Sequence, residues 1–267
     1  MFKNSYLYNN DVINIYHNNI VENLSLNANS KRNVITLNII FNNTFNIIDY
    51  FITTDTIKIN NNYNYKHIEN ILNGSIKNEY YNDLLILKLI TDKLKKENLE
   101  KEKYWKQKSK NRTNQINRIY DSKSHDIIAE LSILYGKCIA DVCSNNNIPC
   151  IYRCQDKSYI TDIFKEEKIN LNESLYQTID SLYLFPYYSQ TPQIHYGLNT
   201  DKYVQATNPL RKYPDGYIQR LLHKYYFKDI DFNDNNIENL ITYFNIRSKD
   251  TNMFESEYNK TLSQNRH

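Results

Sequence analysis

The fold is decided by the segment His195–His223, which reads HYGLNTDKYVQATNPLRKYPDGYIQRLLH. At its centre, Pro209 follows Thr207 and Asn208, two residues whose side chains can cap a helix. Proline suits the first helical position, because the N–H that it lacks would have no partner there. Thr or Asn can accept a hydrogen bond from the free N–H groups of the first turn. We therefore expect a helix that begins at Pro209.

Two cations, Arg211 and Lys212, would lie in the first turn of that helix. The free N–H groups and the positive dipole end of a helix N-terminus attract anions, phosphate in particular. The pattern thus predicts an anion site, and an ordinary capped helix with solvated cations is the alternative. Asp215 follows Arg211 by four residues, and we expect the two to pair on the helix surface.

The bulk composition sets wide limits on the class of protein. A chain of 267 residues can form one large domain or two small ones. A net charge of +3 neither requires nor excludes nucleic acid, so a local basic patch would have to do the binding. No segment approaches the roughly twenty apolar residues of a membrane span. The heavy use of Asn, Ile, Lys and Tyr is typical of an AT-rich genome, so we expect an intracellular protein of the cytoplasm or of an organelle interior (plastid or mitochondrion, if organelle-encoded).

The four cysteines lie close together in the sequence, at Cys138, Cys143, Cys150 and Cys154. Zinc sites usually contain a tighter C-x2-C pair, so a metal site is the less favoured interpretation. We expect small apolar residues on a helix and on the strand after it, in the reduced state.

Hydrophobic periodicity predicts the α+β class. Residues 31–59 are rich in β-branched residues and predict two strands joined by a turn at residues 42–43. Apolar residues at helical spacing predict seven helices, at residues 62–72, 79–106, 126–143, 159–167, 173–184, 236–244 and 249–262. We expect an antiparallel or mixed sheet from the N-terminal segment with helices packed around it.

The central pattern HYGL-x4-Y-x3-TNPLRKYPD-x4-RLL closely resembles the signature near the end of the RNB catalytic domain of RNase II and RNase R exoribonucleases. Three other segments are similar to that family. Residues 25–32 match the lead-in to a β-hairpin, and residues 62–68 match an L-x-Y-x-x-V element. The helix that carries Glu130 matches the family's I-E-E helix and precedes IPCIYR at 148–153, although Ala129, Ser132 and Gly136 depart from the pattern. The fold would then be a partial RNB-type domain.

The resemblance implies that the chain binds single-stranded RNA and assigns its site residues. Arg211 would bind the scissile phosphate, Glu130 would contact the terminal base, and Glu255 would lie near the RNA channel. The RNA-binding residues would be Tyr6, Tyr65, Thr207, Asn208, Lys212 and Tyr213. Taken alone, Tyr65 is equally one exposed aromatic among 25 tyrosines, and Glu130 a surface glutamate.

The family hydrolyses RNA from the 3′ end with Mg²⁺ held by an aspartate cluster, D-x5-D-x-D-D. Mg²⁺ takes oxygen ligands, activates water and neutralises charge on the phosphate. No such run occurs in this sequence, and in the family it precedes the Tyr-Leu that Tyr6 and Leu7 resemble. We expect residues 1–267 to form a single truncated RNB-like domain, with no cold-shock or S1 domain and no metal site.

Three hypotheses follow. In the first, a separate polypeptide carries the acidic N-terminal half and completes a 3′→5′ exoribonuclease together with this chain. Alternatively, it is a non-catalytic RNA-binding or scaffold protein that retains the RNA channel. The third is a decayed remnant that only packs against a partner. On each of them we expect no hydrolysis by the chain alone, because Arg211 cannot replace the missing metal.

Overall fold

The computed structural model describes residues 6–8, 11–101, 122–156, 186–248 and 250, with side chains from residue 14 to 98 and in the later ranges. The strands are β1 (Tyr6–Tyr8), β2 (Asp11–Ile13), β3 (Lys31–Phe41), β4 (Ile47–Lys58), β5 (Tyr152–Cys154) and β6 (Tyr187–Ser189). The helices are α1 (Asn18–Leu24), α2 (Tyr65–Leu72), α3 (Tyr81–Lys101), α4 (Lys123–Asn145), α5 (Tyr213–Leu222) and α6 over 237–248.

The predicted α+β class is confirmed, and the strands of the described residues pair antiparallel as β1 with β2, β3 with β4 and β5 with β6. The β3–β4 hairpin is the longest of these pairs, and it turns where the sequence predicts. There the Asn42 side-chain oxygen accepts the N–H groups of Thr44 (3.0 Å) and Asn46 (2.9 Å). At the other end, Arg32 donates from Nε to the Ser25 carbonyl at 2.9 Å, which anchors the lead-in segment to β3.

Helices α2 and α4 confirm two predicted helices, and a local side-chain cap starts each of them. The Asn64 side chain accepts the His67 N–H at 2.8 Å, and Ser122 Oγ accepts the His125 N–H at 3.4 Å. The predicted helix at 79–106 is present as α3, and that at 236–244 as α6. The helices predicted at 159–167 and 173–184, and that at 249–262 apart from residue 250, lie outside the described residues.

The hydrophobic core lies where α4, β5, α5 and α6 meet. Its largest fully buried side chains are Ile139, Ile151, Ile218, Leu221, Leu222 and Val204. All four cysteines are buried in or beside this core as free thiols, which confirms their interpretation as small apolar residues. Burial raises the pKa of the Cys138 thiol to about 12, so that this thiol is neutral at physiological pH.

The prediction of a helix that begins at Pro209 is wrong. Residues 209–211 form a turn in which the Asn208 carbonyl accepts the N–H groups of Arg211 (3.0 Å) and Lys212 (2.9 Å). Helix α5 begins only at Tyr213, after Lys212 in an extended conformation. The sequence offers a second proline near a helix start, Pro214, and it is this one that lies in the first turn.

None of the described helices has the length and apolarity that a membrane crossing requires.

Candidate functional site

The segment 207–212, called the arginine turn below, contains two cations, Arg211 and Lys212. Arg211 is exposed, and its guanidinium donates to the side-chain oxygen of Asn208. Among the described residues, no carboxylate lies within 4.0 Å of the charged atoms of Arg211 or Lys212. Thr207 is exposed beside them, and its hydroxyl accepts from Asn208 Nδ2 at 3.2 Å. The turn is thus a small cationic surface with its own hydrogen-bonding groups.

The expected pairing of Arg211 with Asp215 is wrong, because Arg211 lies before the helix and Asp215 points inward. Asp215 is 1% exposed. Its Oδ2 accepts the Asn208 N–H at 2.9 Å, while Oδ1 has no hydrogen-bond partner among the described residues. Burial raises the pKa of this carboxyl, and the bond from Asn208 acts in the opposite direction. The carboxylate therefore holds the arginine turn against the start of α5.

A close approach of backbone to backbone completes this arrangement. A Cβ added to Gly216 would lie 3.3 Å from the Pro209 carbonyl oxygen and 3.6 Å from the Tyr16 hydroxyl. Glycine at this position lets the turn lie directly on the first turn of α5. The same hydroxyl accepts a hydrogen bond from Arg220 Nη2 at 3.3 Å, so Tyr16 joins the N-terminal segment to α5.

Tyr213 is held by contacts within the protein. Its ring lies 6.0 Å from that of Phe244 and 6.3 Å from that of Tyr217, and the Arg220 guanidinium lies 5.8 Å from its centre. Burial raises the pKa of the Tyr213 hydroxyl, and Arg220 acts in the opposite direction. Tyr16, which no sequence motif indicates, belongs to the same region, because its hydroxyl contacts α5.

A stacked pair, Tyr65 and His125, marks a second region at the start of α4. Their ring centres are 3.6 Å apart with an angle of 17° between the planes, and Tyr65 is 45% exposed. The His125 Nδ1 lies 2.7 Å from Ser122 Oγ, which fixes the imidazole ring. The first residue of α2 therefore contacts the first turn of α4, and His125 is a member of this region that motif reasoning missed.

Glu130 lies one to two turns further along α4, on the side that faces α3. Its Oε2 accepts from Asn98 Nδ2 at 3.2 Å. Burial raises the pKa of the Glu130 carboxyl, whereas the Asn98 bond and the charges of Lys95 and Lys137 lower it. The stacked pair and Glu130 thus both lie at the N-terminal half of α4.

His195 and Gly197, which open the signature, have structural contacts. His195 is buried, and burial, together with the nearby Arg153 charge, lowers its pKa to about 4. The Gly197 N–H donates to Gln155 Oε1 at 2.9 Å, and a Cβ at this glycine would lie 2.5 Å from the same oxygen. His195 is therefore neutral at physiological pH and enclosed by the fold.

The signature segment lies against the middle of α4. The Val204 N–H donates to the Gly136 carbonyl at 3.4 Å. No described hydrogen bond or ion pair joins Arg211 to Tyr65 or Glu130, so α4 connects the two regions without direct contact between them. For Tyr6 the structure describes the backbone only, in β1, and Glu255 lies outside the described residues.

Within the described ranges, no three side chains of His, Cys, Asp or Glu come together in a way that could hold a metal ion. These residues therefore do not fit the Mg²⁺ that the sequence resemblance implies, and no chemical step can be assigned to a metal there.

A model of the RNB domain matches residues 4–228. The chain belongs to the RNB family. In this RNB-type fold, the signature segment places Arg211 on a turn that precedes α5. No curated protein sequence matches the chain at a significant level.

Solved structures of RNB proteins match nearly the whole chain. RNase R of Mycoplasma genitalium in complex with ribose-methylated single-stranded RNA is 20% identical, with a TM-score of 0.70 over 94% of this chain and 46% of that chain. An active-site mutant of the Dss1 exoribonuclease from Candida glabrata is 18% identical, with a TM-score of 0.70 over 94% and 37%. Yeast Ssd1, described as a pseudonuclease, is 15% identical, with a TM-score of 0.65 over 94% and 35%. The chain thus spans less than half the length of these relatives.

Proposed function

We propose that this protein is a ribonuclease-like RNB protein that binds single-stranded RNA and grips a backbone phosphate with Arg211. The observation that carries the proposal is the arginine turn, where an exposed guanidinium lies within reach of no described carboxylate. Guanidinium groups bind phosphate through two parallel hydrogen bonds, and their charge does not vary with pH. A phosphate would supply the close ion pair that no described carboxylate makes with Arg211.

The neighbouring groups support the same ligand. Lys212 and the Thr207 hydroxyl, beside Arg211, can contact the same or the next phosphate, and Asn208 orients the guanidinium. Tyr65 exposes part of a ring already stacked on His125, and aromatic rings of this kind bind unpaired bases by stacking. We assign Glu130 to the terminal base, because its carboxyl lies on the same half of α4 as the stacked pair and offers hydrogen-bonding oxygens beside Asn98.

Three further residues stay predictions of RNA contact. Tyr213 is the weakest of them, because its ring is already engaged by Arg220 and the aromatic residues around it. Tyr6 and Glu255 rest on the sequence resemblance alone. Substituting each of them singly would separate RNA contacts from residues that only support the fold.

We propose further that the chain by itself binds RNA without hydrolysing it. RNB exoribonucleases depend on a metal, and the described carboxylates do not gather as metal ligands. The structural relatives include both an exoribonuclease and a pseudonuclease, so either outcome is compatible with the fold. None of the comparisons supports the hypothesis of a separate polypeptide that carries an acidic half.

The test is an equilibrium titration of the protein against a fluorescently labelled single-stranded RNA. We expect Arg211→Ala to raise Kd roughly 10- to 100-fold, because a hydrogen bond to a charged group is lost. Arg247→Ala is the matched control, since it removes the same charge from an exposed position on α6. Equal effects of the two substitutions, or no RNA binding by the parent, would refute the proposal. Adding Mg²⁺ should leave the RNA intact, and shortening from the 3′ end would refute the second part.

A further inference from the structure

We infer that Asp215 is a positioning residue for Arg211, acting through Asn208 without touching the RNA. The inference rests on the proposed function, since it explains how the phosphate-binding guanidinium is held. On this inference, the buried Asp215 carboxylate determines the position of the exposed Arg211 guanidinium, four residues earlier in the sequence.

Three sets of contacts connect the two residues. Asp215 Oδ2 accepts the Asn208 N–H at 2.9 Å. The Asn208 carbonyl accepts the N–H groups of Arg211 (3.0 Å) and Lys212 (2.9 Å), and its side-chain oxygen accepts from the Arg211 guanidinium. Asn208 thus fixes Arg211 at the backbone and at the side chain, and Asp215 fixes Asn208.

An ordinary helix cap does not explain the position of this carboxylate. Asp215 is the third residue of α5, and in a capping box a side chain at that position accepts the N–H of the N-cap residue. The N-cap of α5 is Lys212, whose N–H instead donates to the Asn208 carbonyl. Asp215 reaches past the helix start to Asn208, so its hydrogen bond secures the arginine turn more than the helix.

The burial of Asp215 supports the same role. A carboxylate that is 1% exposed, has one oxygen unpaired and lacks an ion pair among the described residues costs folding free energy. A solvent-exposed Asp or Ser would serve α5 without that cost. Gly216 adds to the arrangement, because a Cβ at this position would lie only 3.3 Å from the Pro209 carbonyl oxygen, so that the turn and the helix would have to shift slightly apart.

The experiment is a double-mutant cycle on RNA affinity with Arg211→Ala, Asp215→Ala and the double variant, with Asp215→Asn as the conservative change. We expect Asp215→Ala to raise Kd about tenfold or more, and the double variant to bind no worse than Arg211→Ala alone. Asp215→Asn keeps an oxygen for the Asn208 N–H, so we expect Kd within about threefold of the parent. Circular dichroism and cooperative melting establish that each variant is folded.

The outcomes are separable. Any of three results would overturn the inference. Folded Asp215→Ala could bind RNA with the affinity of the parent, the two effects could add in the double variant, or Asp215→Asn and Asp215→Ala could lose equal affinity. If Asp215→Ala does not fold, hydrogen exchange in the parent decides: a protected Asn208 amide supports the inference, and an amide that exchanges as fast as a free loop overturns it. If Arg211→Ala binds RNA like the parent, the proposed function fails, and the exchange measurement still shows whether the turn is held.

Discussion

The stacked pair lies at the start of α4 and the signature segment that carries the arginine turn lies against its middle, but different interactions hold the turn and the pair. The turn is fixed by backbone hydrogen bonds and by the bond from the Asn208 N–H to the buried Asp215 carboxylate. These bonds hold it without a close ion pair between its cations and any described carboxylate. Tyr65 is held at the surface by ring stacking on His125, whose Nδ1 contacts Ser122 Oγ. Under the proposed function, the comparison predicts a division of labour, in which the hydrogen-bonded turn would bind the phosphate and the stacked rings would bind bases.

The largest effect should come from Gly136, which joins the two regions by seating the signature segment on α4. A Cβ at this position would collide with the Tyr203 ring and the Val204 carbonyl. We expect Gly136→Ala to destabilise the protein by about 3 kcal/mol, although alanine favours a helix more than glycine does. Thermal or denaturant unfolding measures this. An unchanged midpoint would mean that the signature segment does not lie on α4.

The second effect concerns the buried His195 beneath the signature. Its folded-state pKa of about 4 lies below the ordinary value of 6.5, so the neutral ring stabilises the fold above pH 6.5 and this contribution is lost as the pH falls towards 4. Between about pH 7.5 and pH 5, the loss should be about 2 kcal/mol. Denaturant unfolding at both pH values measures it.

The control for this prediction is His195→Gln, which should lack that part of the pH dependence. Asp215 and Glu130 act in the opposite direction, because raised carboxyl pKa values favour the fold on acidification. The comparison of parent and variant isolates the histidine. If both lose the same stability on acidification, His195 is not the group responsible.

The third prediction tests the division of labour directly. Arg211→Ala should reduce the salt dependence of RNA binding, with the slope of log K against log salt falling by about one. Tyr65→Ala should weaken binding by at least about 1 kcal/mol and leave that slope unchanged, because stacking releases no counter-ions. Titrations at several salt concentrations separate the two. Equal slope changes would contradict the contrast between the regions.

The sequence predicted α2 and α4, because a single nearby side chain caps the start of each helix. Asn64 and Ser122 cap α2 and α4 from positions adjacent to each helix, and the apolar periodicity then extends the element. The start of α5 was placed wrongly because Pro209 and Pro214 satisfy the same local rule. The choice between them depends on a buried carboxylate and on contacts that no short window of sequence contains.

The candidate site shows the same limit. The family resemblance indicated Arg211, Tyr65 and Glu130 by register, but it did not indicate what holds them. Tyr16 reaches Arg220 across 204 residues of sequence, and His125 meets Tyr65 only after two helices are packed. Partners at such separations follow from the tertiary fold and not from the spacing of residues.

The smallest effect concerns Glu130, whose carboxyl is influenced both by a local hydrogen bond and by nearby charges. Its pKa is raised by burial, and among the opposing influences the Asn98 hydrogen bond exceeds the charge of Lys95. Asn98→Ala should therefore raise the Glu130 pKa further, and more than Lys95→Ala does, with a loss of stability of about 1 kcal/mol or less. Carboxyl carbon NMR titration measures both shifts. A larger shift in Lys95→Ala would mean that the lysine charge, and not the hydrogen bond from Asn98, has the larger influence on the Glu130 pKa.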